Sequence, residues 1–187
     1  MSWDHVHDSR TAFRACLEAL SRPGARIVDL PRPGLSENAA HEAAAGILLA
    51  LLDPGLGLAS TGGAETVELG AKVRELTGAA EVRVEEADFV FAGPRGEPDV
   101  AGRARRGSAL APDRGATLVY AGADAQACEL ELAGPGVPGT RAAPVPLAAA
   151  EIETLRRANS HPPMGVDVLA LAPDGSLVGL PRAVLGG

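Results

Sequence analysis

His161-Pro162-Pro163-Met164-Gly165-Val166-Asp167 leads into Val168-Leu169-Ala170-Leu171-Ala172, then Pro173-Asp174-Gly175-Ser176, then Leu177-Val178-Gly179-Leu180-Pro181-Arg182. The order is a proline-rich lead-in, an apolar strand, a turn and a second strand. Asp174-Gly175 between apolar runs is a strong hairpin signal, because glycine reaches positive φ without a steric cost. Val168, Ala170 and Ala172 alternate with Leu169 and Leu171, so the first strand is apolar on both faces. Such a strand is normally covered on both sides, inside a layered α/β domain. Asp167 enters it as a carboxylate, and Arg182 ends the second strand. A two-residue turn at Asp174-Gly175 predicts Pro173 opposite Ser176, Leu169 opposite Leu180, and Arg182 opposite Asp167. A three-residue loop with a bulge moves every pair by one.

The 187 residues suit a single domain, 1–187, with a sizeable core. Hydrophobic residues make up 46% and aromatics only 3%, so that core is aliphatic and rich in alanine. The net charge of −7 argues against nucleic acid and against anionic membranes, since both need a basic footprint. It leaves room for an anionic small molecule gripped by a few local arginines. Cys16 and Cys128 lie far apart and form no CxxC, which points to reduced, buried thiols. No signal peptide opens the chain, and the longest apolar run, 43–52, falls well short of the roughly 20 residues that cross a bilayer. A cytoplasmic location is expected.

Upstream of the hairpin, a helix is predicted over 9–20, with Phe13, Cys16, Leu17 and Leu20 as its apolar stripe and Asp8 or Ser9 as its cap. A strand over 26–30 follows. A second helix from Ser36 to Leu52 is apolar on most of its circumference and therefore sandwiched. A strand over 56–60 runs through Thr61-Gly62-Gly63 into a helix over 65–77, with Leu69, Val73 and Leu76 inward. A strand at 87–92 precedes a solvated segment, 93–107, carrying Arg95, Arg103, Arg105 and Arg106 and one short helix at most. Strands at 116–121 and 127–133 read as a hairpin, with Glu129 and Glu131 on its wet face. Residues 134–146 read as a proline-rich loop, and 147–159 as a helix with Ile152 and Leu155 inward. Early strands alternate with helices and later ones pair as hairpins, which predicts a mixed sheet with helices on both faces.

Few motifs carry chemistry. Gly134-Pro135-Gly136-Val137-Pro138-Gly139 matches a dinucleotide fingerprint literally, but its prolines remove the N–H groups that would hold pyrophosphate and no helix follows. A rigid turn accounts for it better. There is no P-loop and no nucleophile elbow. His5 and His7 belong to a frayed terminus, His41 reads as a surface histidine, and no metal site is expected. Glu85, Glu86 and Asp88 read as a solvated turn, and Arg14 and Arg22 as exposed arginines able to meet an anion. Ser60-Thr61 sits between a strand and a helix, where open α/β sheets take ligands, although a plain loop is the simpler reading. His161, flanked by prolines on a loop, is a further candidate. Ser60, Thr61, His161, Asp167 and Arg182 are thus the candidate ligand- or partner-binding residues, with no catalytic residue assigned.

Several segments line up with one family: Phe13-Arg14 with Ala19-Leu20-Ser21-Arg22-Pro23-Gly24, Leu58-Ala59-Ser60-Thr61, and Gly107-Ser108-Ala109-Leu110-Ala111-Pro112 running into Gly115-Ala116-Thr117-Leu118. Gly134-Pro135-Gly136-Val137, Pro163-Met164-Gly165-Val166-Asp167 and Gly179-Leu180-Pro181-Arg182 complete the set. Together, in order from Asp8 to Arg182, they resemble PhnH, a subunit of the bacterial carbon–phosphorus lyase system. The resemblance implies a three-layer α/β sandwich with a mixed sheet, similar to the PLP-dependent transferase fold without PLP, and a homodimer. It implies association with the other core subunits. That complex turns ATP and an alkylphosphonate into a ribose 1-alkylphosphonate 5-triphosphate with loss of adenine, before a radical lyase breaks the carbon–phosphorus bond. The family member looks like a required partner that is not active alone, with a phosphonate or ATP-derived molecule as its possible ligand. The residues agree on the cofactor: a PLP Schiff base needs a lysine, and the only one, Lys72, lies mid-helix away from Leu69, Val73 and Leu76. Two rivals stand beside this reading. One is a stand-alone enzyme or binding protein that uses His161, Asp167 and Arg182 on an anionic phosphonate or nucleotide. The other is a dimeric scaffold without a small molecule.

Overall fold

The structure, a computed structural model, describes residues 3–94, 99–122 and 127–184. Arg95 and residues 123–126 lie outside them. In chain order the elements are α1 (His7–Ser21), β1 (Arg26–Ile27), α2 (Ala39–Leu51), β2 (Gly57–Thr61), α3 (Ala64–Thr77), β3 (Ala80–Glu81), β4 (Phe89–Ala92) and α4 (Val100–Arg103). Then come β5 (Arg106–Ser108), β6 (Ala111–Gly115), β7 (Thr117–Ala121), β8 (Cys128–Gly134), β9 (Val137–Val145), α5 (Ala149–Ala158), β10 (Asp167–Leu171) and β11 (Leu177–Leu180), with a 3-10 turn at Arg182–Val184.

Seven strands form one mixed sheet in the order β1-β11-β10-β7-β4-β2-β3. β10, β7, β4, β2 and β3 run parallel, while β11 runs antiparallel to both β10 and β1. The period-two alternation of the strands divides the core in two. Leu58, Phe91, Val119, Leu169, Leu171 and Leu177 meet α1, α2 and α3 on one face. Ala59, Val90, Leu118, Tyr120, Val168, Ala170 and Leu180 meet α4, α5 and the β8–β9 ribbon on the other. The result is the expected three-layer arrangement around a two-faced sheet.

Several expectations fail for physical reasons. The strands at 116–121 and 127–133 do not pair. β7 is apolar on both faces and takes a central position between β4 and β10. β8 is apolar on one face only, and it pairs instead with β9, which spans the segment read as a loop. Prolines are tolerated there because a two-stranded ribbon leaves half of the N–H positions free of ladder partners. Pro135-Gly136 is then the hairpin turn, as a rigid-turn reading requires.

α2 starts at Ala39 rather than Ser36. The amides of Gly34, Leu35 and Ser36 all donate to the buried Glu42 carboxylate, and the Asn38 side chain caps the helix at Ala40 and His41. α1 is capped from outside by Asp4, which accepts from the amides of Val6 and His7, while Asp8 accepts from the Asp4 amide. Its buried face is the small one, Ala12, Cys16 and Ala19. Phe13 and Leu17 are about half exposed, at 48% and 52%. β1 stops at Ile27, because Asp29 turns to a φ of 63°. Leu76 faces out, and Thr66 and Gly70 share α3's inner face with Leu69 and Val73. Cys16 is buried, its thiol pushed up to about 12 by burial, and Cys128 is half-buried.

Candidate functional site

The two ends of the sheet carry different candidates. Ser60 and Thr61 end β2 at the carboxyl edge, while Asp167 and Arg182 lie at the opposite edge. The five candidates therefore do not form one site.

At the carboxyl edge, strand order reverses between β2 and β4: the chain goes one way through α3 to β3, then the other way through β4 to β7. The crevice between them is closed by backbone. The Gly93 amide donates to the Thr61 carbonyl at 2.8 Å, and a Cβ on Gly62 would stand 2.4 Å from the Gly93 nitrogen. The Ser60 hydroxyl is buried against Gly70 without a hydrogen-bond partner among the described residues. Beside it is His41, which is no surface histidine: it is 2% exposed. Its Nε2 lies 2.9 Å from Thr66 Oγ1, and its ring meets Phe91 edge-on at 5.7 Å. Burial holds this imidazole below the usual histidine range, against a weaker opposing pull from Glu65 at 4.0 Å.

At the other edge, carboxylates at strand starts tie down arginines. Asp88 accepts from the Gly57 amide and from Arg105, so it is a latch rather than part of a solvated turn. Asp167 accepts from the Arg182 amide at 2.8 Å and from Arg182 Nε at 3.2 and 3.1 Å, with Nη2 completing the fork. Arg182 Nη1 donates to the Pro112 carbonyl. The pair meets as anticipated, but by a different register. Val168 opposes Leu180 and Leu171 opposes Leu177, one step from the two-residue-turn alignment. The loop is Pro173-Asp174-Gly175, closed by Ala172 and Ser176, with Gly175 at a φ of 83°. Regular pairing stops at Leu180, and Arg182 reaches Asp167 from the turn that follows Pro181.

His161 lies close by, on the turn after α5. Its Nδ1 is 2.8 Å from Ser160 Oγ. With Arg106, Gly107, Ala104, Ala158 and Met164 it lines a cleft of about 420 Å³. The loop that carries it is held at three points. The Met164 amide donates to the His161 carbonyl, and the Gly165 amide donates to the Arg106 carbonyl. Asn159, 1% exposed, bonds both the amide and the carbonyl of Val166. Asn159 appears in the sequence reading only as a helix end, and Arg106 only as one of four arginines on a solvated segment. Asn159 at a helix C-cap before a proline pair is a signal that could have been noticed, whereas the role of Arg106 depends on where β5 packs. Among the described residues no group of three or more His, Cys, Asp or Glu could hold a metal ion.

A family model described as "Bacterial phosphonate metabolism protein (PhnH)" matches residues 2–185 of the chain. No curated protein matches it.

Proposed function

Because this chain belongs to the PhnH family of bacterial phosphonate metabolism proteins, we propose that it works as a subunit of the carbon–phosphorus lyase core complex. In this reading it supports formation of a ribose 1-alkylphosphonate 5-triphosphate from ATP and an alkylphosphonate, acts in the cytoplasm, and is not active alone. The observation that carries the reading is the family match across almost the whole chain. The geometry supports a partner's role: the conspicuous ionic groups at the sheet's amino edge are engaged with each other, Asp167 with Arg182 and Asp88 with Arg105.

The likeness to a PLP-dependent transferase fold without PLP is part of the same proposal. It is supported by the lone antiparallel β11 and by Lys72, which is exposed on α3. A homodimer is supported by the exposed apolar side chains of Val6, just before α1, and of Phe13 and Leu17 on it, with the exposed Val28 beside Leu17.

The test is a deletion strain complemented with a tagged copy. Growth that fails only when a phosphonate is the sole phosphorus source, together with retention of the other core subunits on the tag, is the expected result. Normal growth of the deletion strain on phosphonate would overturn the proposal. The stand-alone-enzyme reading draws on the cleft beside His161, and turnover of ATP with a phosphonate by the pure chain would favour it.

A further inference from the structure

We propose that the cleft between β5 and the turn after α5 binds a small organic oxyanion of the phosphonate class. Arg106 and His161 would take the oxygens, and Met164, Ala104 and Ala158 would take the carbon substituent. The choice of phosphonate rests on the function proposed above; the anion site itself rests on charge and geometry.

Charge separates this cleft from its neighbours. The recess beside the β10–β11 turn carries Asp29 and Asp174 along with Arg32. The groove along α1 carries Glu18 and Asp29 along with Arg10 and Arg14. The apolar hollow under Pro144, Pro146 and Pro173 contains Arg26, which is paired with Asp174. Among the described residues, the His161 cleft is lined by an arginine and a histidine and by no carboxylate.

The nearby arginines also differ in what they have left to offer. Arg105 is engaged with Asp88, and Arg182 with Asp167 and Pro112. Arg106 makes no side-chain hydrogen bond or ion pair among the described residues, so its planar fork of donors remains available to an oxyanion. Ser160 Oγ donates to the Arg157 carbonyl, so His161 Nδ1–H donates to Ser160 Oγ, and Nε2 is left to accept from a protonated oxygen of a monoanion or, as imidazolium, to donate. In a chain of net charge −7, two such groups in one concavity, unopposed among the described residues, form a local exception.

The remaining lining is apolar and small, which suits a short alkyl group better than a hydrated inorganic ion. About 420 Å³ is also the size range of small-molecule pockets.

The site is also braced. A bulge interrupts the β5–β6 pairing between Arg106 and Ser108, with Gly107 at a φ of 72°, and bulges commonly re-aim side chains beside functional sites. β5 is tied to the His161 loop through Gly165, and Arg182 ties β6 to β10 from behind. Gly115 fits between them only because it lacks a side chain: a Cβ there would stand 2.3 Å from the Gly165 carbonyl oxygen and 2.6 Å from Arg182 Nη1. Asp167 and Arg182 thus serve the cleft as positioning residues.

The probe is methylphosphonate, followed by phosphorus NMR and calorimetry with the full chain, with methyl phosphate, inorganic phosphate and acetate as comparators. Saturable binding of methylphosphonate is expected, tighter than that of phosphate or acetate. Methyl phosphate separates a general preference for tetrahedral monoanions with a carbon tail from a preference for phosphonate. Arg106→Ala should weaken binding about tenfold or more, as loss of a charged hydrogen-bonding partner does. Arg106→Lys should restore part of it, and His161→Gln should weaken it several-fold. Met164→Ala should narrow the margin over phosphate. Arg141→Ala, on the exposed strand β9, should change nothing. Arg106 and His161 are exposed, so these variants should keep the melting temperature of the parent. No binding by the parent chain, equal binding by Arg106→Ala, or equal affinity for phosphate would each overturn the proposal. If the chain co-purifies with its complex but does not bind, this inference falls and the complex reading stands. If it binds but does not co-purify, the complex reading falls and the anion site stands.

Discussion

Asp167 and Arg182 are both largely shielded, and five polar contacts join Asp167, Arg182 and Pro112. Removing one partner strands the other, and that loss exceeds the net value of the pair. Because both side chains keep some solvent contact, Arg182→Ala should cost about 1.5–3 kcal/mol, the range of hydrogen bonds to charged groups. Urea titration of a double-mutant cycle with Asp167→Asn checks this. Coupling near zero would show that Arg182 serves something other than Asp167.

His41 makes the second prediction. Burial disfavours its charged form, so below about pH 6.5 the unfolded chain binds a proton that the folded chain refuses. The stability contributed by the neutral ring is complete above that value and is lost as pH falls toward the depressed folded value. Glu151 works in the opposite sense. Burial raises its carboxyl, so the stability it contributes is present at low pH and is lost as pH rises through its folded value. The urea midpoint should therefore fall between about pH 7 and about pH 5.5, and His41→Asn should flatten that slope. An unchanged slope in the variant would mean that another group is responsible.

At the scale of elements, α1 lies directly on the sheet. A Cβ on Gly179 of β11 would stand 2.5 Å from the Ala19 backbone, so the contact exists only because glycine is there. Gly179→Ala should cost about 1–3 kcal/mol by overpacking, measured by thermal and chemical unfolding. A neutral result would mean that α1 can lift away without loss. The same contact explains why Phe13 and Leu17 leave the expected stripe of α1 while Cys16 and Leu20 stay in it. Phe13 and Leu17 were the larger side chains at helical spacing, but close approach to the sheet selects Ala12, Cys16 and Ala19. The separation of β7 from β8 follows from their faces. A strand apolar on both faces belongs inside a parallel sheet, and a strand apolar on one face belongs at a surface, so the two were poor partners from the start.

For the whole molecule, the exposed stripe on α1 and the neighbouring Val28 give the dimer prediction its surface. Light scattering should report a dimer at micromolar concentration, and Phe13→Glu with Leu17→Arg should shift it to monomer. A parent chain that is monomeric throughout would refute the dimer. The isolated chain should also retain no PLP after dialysis, since Lys72 sits on the outer face of α3. A Schiff-base absorbance lost in Lys72→Ala would contradict that.

Period-two and helical spacing determined, without coordinates, the layered α/β class, the sandwiched character of the second helix and the closing hairpin. These features are local, or depend on which faces must leave water. The tertiary structure alone decided the register of that hairpin, because a two-residue and a three-residue loop differ by less than the cost of misplacing the faces they join. It also decided that Ser60 and Thr61 lie at the opposite edge of the sheet from Asp167, and that Arg106 stands beside His161. Such neighbours are set by strand order, which depends on how every layer packs at once and leaves no periodic trace in the chain.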